Sequence, residues 1–375
     1  MAEVVIITLR LDAPDFASRR DCWKDSLGFV GDKISDSELD VLASRFQMTP
    51  DQIADAVGTA KGQARLRALA TESSDDPTID DLFAAARSQS THDLGALARK
   101  IEPNYHWDDI VLPDDQRRHL REICNQAKYR HVVYGQWGFD RKLSLGKGLN
   151  VLFSGPPGTG KTMAAEVIAT ELHLELFKID LSQIVSKYIG ETEKNLNRIF
   201  HEARMSNAIL FFDEADALFG KRSEVRDAHD RYANIEIAYL LQKMEEYEGM
   251  SILATNLRQN LDEAFTRRLS FTVEFPFPDE ASRFLIWQSI WPKETPLDED
   301  LDLKFVARQF KLAGGSIKNI ALAAAFLAAE AHSKVAIAHV LRATRREFQK
   351  MGKTVAKVEF GAYAEQLELA PVPAA

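Results

Sequence analysis

The stretch Gly155-Pro156-Pro157-Gly158-Thr159-Gly160-Lys161-Thr162 has the residue types that phosphate binding requires, at the spacing it requires. Glycines let backbone N–H groups crowd round phosphate oxygens without a Cβ in the way. Lys161 can reach the β- and γ-phosphates of a nucleotide, and the Thr162 hydroxyl can ligate Mg²⁺. Two carboxylates, Asp213 and Glu214, follow about fifty residues later at the end of the apolar run Ile209-Leu210-Phe211-Phe212. Asp213 is expected to hold Mg²⁺, directly or through water. Glu214 is expected to orient and deprotonate the attacking water. Asn256 ends a further apolar run and can hydrogen-bond that water or the γ-phosphate. Arg267 and Arg268 are permanent cations that match phosphate geometry. An arginine reaching a neighbouring subunit's γ-phosphate adds about 10³–10⁵ in rate.

These residues need a scaffold. A phosphate loop must follow a strand and open a helix. Residues 149–154 read as the strand and 161–173 as the helix, whose N-terminus adds partial positive charge. Further strands are read at 176–179, 208–212 and 251–255, and helices at 192–203 and 231–247. Strands alternating with helices imply a parallel sheet flanked by helices, with ligands at the carboxyl ends of its strands. Beyond Pro278 the pattern turns helical to about Lys350, clearest over Ile317 to Ala331. The fold class expected is α/β, a phosphate-loop sheet plus a helical subdomain.

With these motifs the chain resembles the AAA branch of the AAA+ ATPases over residues 103–345. The resemblance implies that Tyr105-His106-Trp107-Asp108-Asp109-Ile110 contacts adenine, with Asp109, Ile110, Met163 and Gly315 added to the loop residues as nucleotide contacts. It makes Gly314-Gly315-Ser316 the base-contacting turn of a helical lid. It also implies that Tyr188-Ile189-Gly190 is a pore loop gripping polypeptide in a ring. In the AAA branch two residues usually separate the finger arginines, whereas Arg267 and Arg268 are adjacent, and either can be the finger. Lys318 reads as a surface lysine. The run from Asp213 to Glu236 is similar to ATPases encoded with bacterial contractile injection systems. ATP and Mg²⁺ are the cofactors implied. The partners implied are further copies in a hexamer and a protein substrate, with injection-system components as the candidates.

The N-terminal third holds an internal echo. Pro14 to Trp23 matches Pro278 to Trp287 at six of ten positions, an offset of 264 residues. The same offset pairs Ala43 with Ala307, Phe46 with Phe310, Met48 with Leu312 and Ile53 with Ile317. Residues 1–60 therefore read as a second, orphaned lid. The expected organisation is this unit, a helical linker over 61–104 with helices at 79–89 and 92–101, a nucleotide-binding subdomain over 105–274, a lid over 275–350 and a tail over 351–375.

Composition narrows the setting. The formal net charge is −9, which disfavours a general nucleic-acid coat. Cys22 and Cys124 form no metal spacing and fit a reducing compartment. No apolar run approaches a membrane span and no signal peptide is read, so a cytoplasmic protein without a membrane partner is expected. Two rival readings stay open. A DNA-associated regulator could use Leu39 to Val57 as a helix-turn-helix, although Pro50 to Val57 lacks the Lys or Arg that DNA contacts need. A nucleotide-dependent switch or adaptor would thread nothing.

Overall fold

A computed structural model describes residues 14–28, 34–46, 48–71, 74–89, 97–142, 146–184, 191–215, 228–256, 267–299, 301–353 and 363. The central sheet follows from five fully or largely apolar strands. These are β2 (Leu149–Ser154), β3 (Leu176–Asp180), β4 (Ile209–Asp213), β5 (Met250–Thr255) and β6 (Phe271–Glu274). They run parallel in the order β3-β4-β5-β2-β6. A short strand β1 (Arg99–Ile101) joins the edge of β3 antiparallel, pairing Lys100 with Phe177.

Side chains of each strand alternate between two cores. Val151, Phe153, Ile209, Phe211 and Ile252 pack under α5 (Asp114–Arg130) and α6 (Lys161–Leu172). Leu152, Ile179, Leu210, Phe212 and Leu253 meet α7 (Leu181–Ile184), α8 (Glu191–Ser206) and α9 (Ala228–Glu246) on the other face. Each buried Phe or Leu stabilises by about 1.5–3 kcal/mol relative to exposure. That exceeds the whole span of strand propensity, about 1 kcal/mol, so burial fixes the register.

Two helical units flank this sheet. The C-terminal one comprises α10 (Glu280–Ser289), α11 (Leu303–Gln309), α12 (Gly314–Glu330) and α13 (Ile337–Lys350). The N-terminal one comprises α1 (Phe16–Leu27), α2 (Asp36–Arg45), α3 (Pro50–Thr71) and α4 (Ile79–Gln89). The 264-residue echo carries into their bonding. Asp15 caps α1 by accepting from the Ser18 N–H at 2.8 Å, and Asp279 caps α10 through Ser282 at 2.8 Å. Arg19 Nε donates to the Ala43 carbonyl at 2.9 Å, and Arg283 Nε to that of Ala307 at 2.7 Å. Their Nη1 atoms donate to the carbonyls of Pro14 and Pro278 respectively. Trp23 and Trp287 are both fully buried.

Two expectations need correction. Residues 99–101 were expected in a helix but form β1, because the open edge of β3 takes up their backbone groups. Residues 61–89 do not act as a linker. α3 continues to Thr71, and Leu82, Phe83, Ala85 and Ala86 of α4 complete the core of the N-terminal unit. The strand β6 was not foreseen.

The N-terminal unit docks on the edge of the sheet opposite the strands' carboxyl ends. Phe83 stacks on His173 at 5.2 Å and Phe16 on His131 at 5.2 Å. Arg45 lies over Phe83 at 5.1 Å, and its carbonyl accepts from Asn207 Nδ2. Among the described residues no helix is long and apolar enough to cross a membrane.

Candidate functional site

The site forms where β4, β5 and β2 end side by side. The loop after β2 turns sharply at Gly155, whose φ is 150°. A Cβ there would lie 2.2 Å from the Phe275 carbonyl oxygen, so only glycine fits. Gly158 has φ 75°, and its carbonyl accepts from the Gly315 N–H at 2.9 Å. That bond ties the first turn of α12 to the phosphate loop. Pro156 and Pro157 are exposed at the loop's crest, and Thr159 Oγ1 donates to the Pro156 carbonyl at 2.8 Å. α6 opens at Gly160 with no side-chain cap and no acid in its first turn. Its first N–H groups are thus available to an anion.

Lys161 Nζ donates to the carbonyls of Gly155 at 2.7 Å and Pro156 at 3.0 Å, and to Asn256 Oδ1 at 3.0 Å. The sheet order makes this possible, since Ser154 and Thr255 are register partners at the ends of β2 and β5. Thr162 and Met163 follow in the first turn of α6, both partly buried. Asp213 ends β4, one strand further along. Its Oδ1 accepts from the Glu214 N–H at 3.0 Å, and its Oδ2 lies 2.6 Å from Lys178 Nζ. Glu214 is exposed and sits at φ 54°, a strained region for a non-glycine residue.

The lead-in segment is fastened beside the loop. Asp109 Oδ2 accepts from the His106 N–H at 2.7 Å, and Ile110 is buried. Trp107 Nε1 donates to Glu171 on α6 at 3.2 Å. Lys318 is exposed, but its Nζ stands 3.4 Å from the Tyr105 hydroxyl and so links α12 to this segment. Glu166, one turn beyond Thr162, has its pKa raised by burial. Arg267 and Arg268 are exposed before β6, and Arg268 Nε lies 2.5 Å from Glu245 on α9 of the same chain. Tyr188, Ile189 and Gly190 lie outside the described residues.

One residue of this cluster escaped the motif reading. Lys178 sits in an apolar strand, and only the placement of β3 beside β4 brings it to Asp213. The available signal was alternation, which puts Lys178 on the same face of β3 as Asp180.

Comparison with known proteins bears on this geometry. Residues 151–278 match the family model for the ATPase family associated with various cellular activities (AAA). Residues 15–92 match the contractile injection system ATPase helical domain. Together the two cover more than half of the chain. The chain carries an AAA ATPase domain. It is 34% identical over 248 residues to a 26S proteasome regulatory subunit 6B homolog of Dictyostelium discoideum, covering 64% of this chain and 59% of that protein. It is 33% identical over 255 residues to a katanin p60 ATPase-containing protein of Danio rerio, covering 63% and 49%. An AAA family ATPase of Sinorhizobium fredii is 35% identical over 191 residues, covering 50% and 56%. The chain thus spans about half to three-fifths of the length of these AAA relatives.

Proposed function

We propose that this AAA chain is a Mg²⁺-dependent ATPase that assembles as a ring, a hexamer, and turns hydrolysis into work on protein. The observation that carries the reading is the convergence of Lys161, Asn256 and the phosphate loop beside Asp213-Glu214 at one sheet edge. Thr162 and Asp213 offer oxygen donors, the kind Mg²⁺ takes. Among the described residues no group of three or more His, Cys, Asp or Glu forms a cage for a metal. That suits an ion held by one or two protein oxygens and the substrate's phosphates. The metal, once bound, neutralises charge on the β- and γ-phosphates.

The chain's own groups divide the remaining work. Lys161 and the N–H groups opening α6 hold the phosphates. Glu214 takes a proton from water as that water attacks the γ-phosphorus, the bond from that phosphorus to the β–γ bridging oxygen breaks, and ADP leaves with phosphate as the second product, while Asn256 holds water and phosphate in line. Gly315, through its bond to Gly158, brings the lid against the base and reports on the loop's state. Arg267 or Arg268 reaches into a neighbour's site; Arg268 also lies against Glu245 in its own chain.

Leu322 and Phe326 support a ring. They are 58% and 69% exposed on the outer face of α12, whereas Gly58 and Gly62 stand at the echoed positions of α3. The work is on polypeptide gripped by the Tyr188 loop. The helical domain over 15–92 favours injection-system components as the substrate. The residues of the DNA-binding alternative, Leu39 to Val57, instead pack into the N-terminal core through Leu42, Phe46 and Ile53.

The test is hydrolysis by purified variants. Lys161→Ala is expected to weaken ATP binding. Glu214→Gln is expected to keep binding while turnover falls by about 10²-fold or more. Full turnover in Glu214→Gln protein overturns the proposal.

A further inference from the structure

We propose that Lys178 is a positioning residue that sets Asp213 and, through it, the water-activating Glu214. The inference rests on the ATPase reading above and adds a residue to its machinery.

The argument starts in β3. Phe177 and Ile179 turn into the core under α8, so Lys178 projects to the opposite face, the one covered by α6. There its register partner on β4 is Phe211, and Asp213 stands two residues on. The stem of Lys178 runs along the sheet and its ammonium reaches Asp213 Oδ2 at 2.6 Å. The other oxygen, Oδ1, accepts from the Glu214 N–H at 3.0 Å. An Asp carboxylate rotates easily about its last torsion. Held at both oxygens, this one cannot.

The second bond is the consequential one. Glu214 adopts φ 54°, a region that disfavours side chains. The Asp213 oxygen is the cap that holds it there. Two adjacent carboxylates also repel, and the Lys178 charge offsets that repulsion. Without Lys178, Asp213 is free to turn, Oδ1 leaves the Glu214 N–H, and the Glu214 backbone relaxes.

The test uses the full chain with Lys178→Met, which keeps the stem and removes the charge, and Lys178→Arg, which keeps the charge. Four quantities are read: the melting temperature, affinity for a fluorescent ATP analogue without metal, Mn²⁺ affinity of the ADP complex by electron paramagnetic resonance, and turnover. In Lys178→Met turnover is expected to fall about tenfold. Metal-free nucleotide affinity stays within about twofold, while Mn²⁺ affinity reads two opposed effects on Asp213, its lost orientation and the lost repulsion of the metal. Lys178→Arg is expected to recover most of the turnover. Wild-type turnover in folded Lys178→Met protein overturns the inference, as does an Arg variant as impaired as Met. If Lys178→Met fails to fold, Lys178→Gln carries the same comparison. Asp213→Asn separates the two levels. If it abolishes Mn²⁺ binding and turnover while Lys178→Met is neutral, only this inference fails. If Asp213→Asn is itself neutral, the metal-site reading of Asp213 fails and takes this inference with it.

Discussion

Gly155 leaves no room for a side chain, and the reason is the sheet and not the nucleotide. Its N–H donates to the Thr255 carbonyl at 3.2 Å while the Phe275 carbonyl closes the space a Cβ would fill. Gly155→Ala should therefore destabilise the fold even without nucleotide, by about 2–3 kcal/mol. A lowered melting temperature in nucleotide-free protein checks this, and an unchanged one counts against the packing. The same distinction between local and distant causes decides what the chain's residues disclose. Lys161, Thr162, Asp213, Glu214 and Asn256 could be picked out because each follows a strand in a recognisable local setting. Lys178 could not, because its partner is chosen by strand order, which no local pattern encodes. The contact of Arg268 with Glu245 on α9 likewise needed coordinates.

Helix α6 is the element that joins the two ends of the molecule. Its first turn lies at the phosphate loop and its last residue precedes His173, which stacks on Phe83 of α4. Arg45 also lies over the Phe83 ring, at 5.1 Å, so cation, ring and imidazole meet at the joint. Burial first, then the Arg45 charge, holds the His173 pKa below its ordinary 6.5, with Arg87 adding to the effect and Asp80 and Glu171 opposing it. The sign follows from proton uptake. As pH falls through about 6.5 the unfolded chain gains a proton that the docked imidazole resists, so acid favours unfolding. Above that value the docking contribution is complete. The melting temperatures of wild type and His173→Phe should hold a near-constant difference above about pH 7 and shift in favour of the variant toward about pH 5.5. A pH-independent difference would remove His173 from the joint. A long periodic segment such as α12 could be read from sequence, whereas α3 was cut short at residue 60. β1 could not, because three residues carry too little pattern and the edge of β3 decides their state. α4 was recognised as a helix but misplaced as linker, because Leu82 and Phe83 disclose their burial only against α2 and α3.

At the scale of the whole molecule, the N-terminal unit and the nucleotide site occupy opposite edges of the sheet. Docking there leaves the strands' carboxyl ends open to another copy. We read the N-terminal unit as a second lid, retained for the surface it presents. A ring requires a heterologous contact, in which one protomer's arginine faces the next one's phosphate loop. Complementation follows from that geometry. Arg267→Ala alone keeps its own phosphate loop but gives nothing to its neighbour. Lys161→Ala alone gives the arginine but cannot hold its own nucleotide. In a mixed ring, a site with an intact loop whose neighbour supplies an intact arginine is whole. Random mixing in equal amounts makes about one quarter of the interfaces complete. Each variant alone should show turnover reduced by orders of magnitude, in line with the ~10³–10⁵ an arginine finger contributes. The mixture should then recover a measurable fraction of wild-type turnover, and Arg267→Ala should still bind nucleotide in cis. The measurement is steady-state phosphate release, with ring assembly of the mixture verified by light scattering. Normal turnover from Arg267→Ala alone, or no recovery in rings shown to contain both variants, would assign the finger elsewhere. Arg268→Ala mixed in the same way then becomes the discriminating pair, because breaking its contact with Glu245 would expose whichever role that side chain has in the ring.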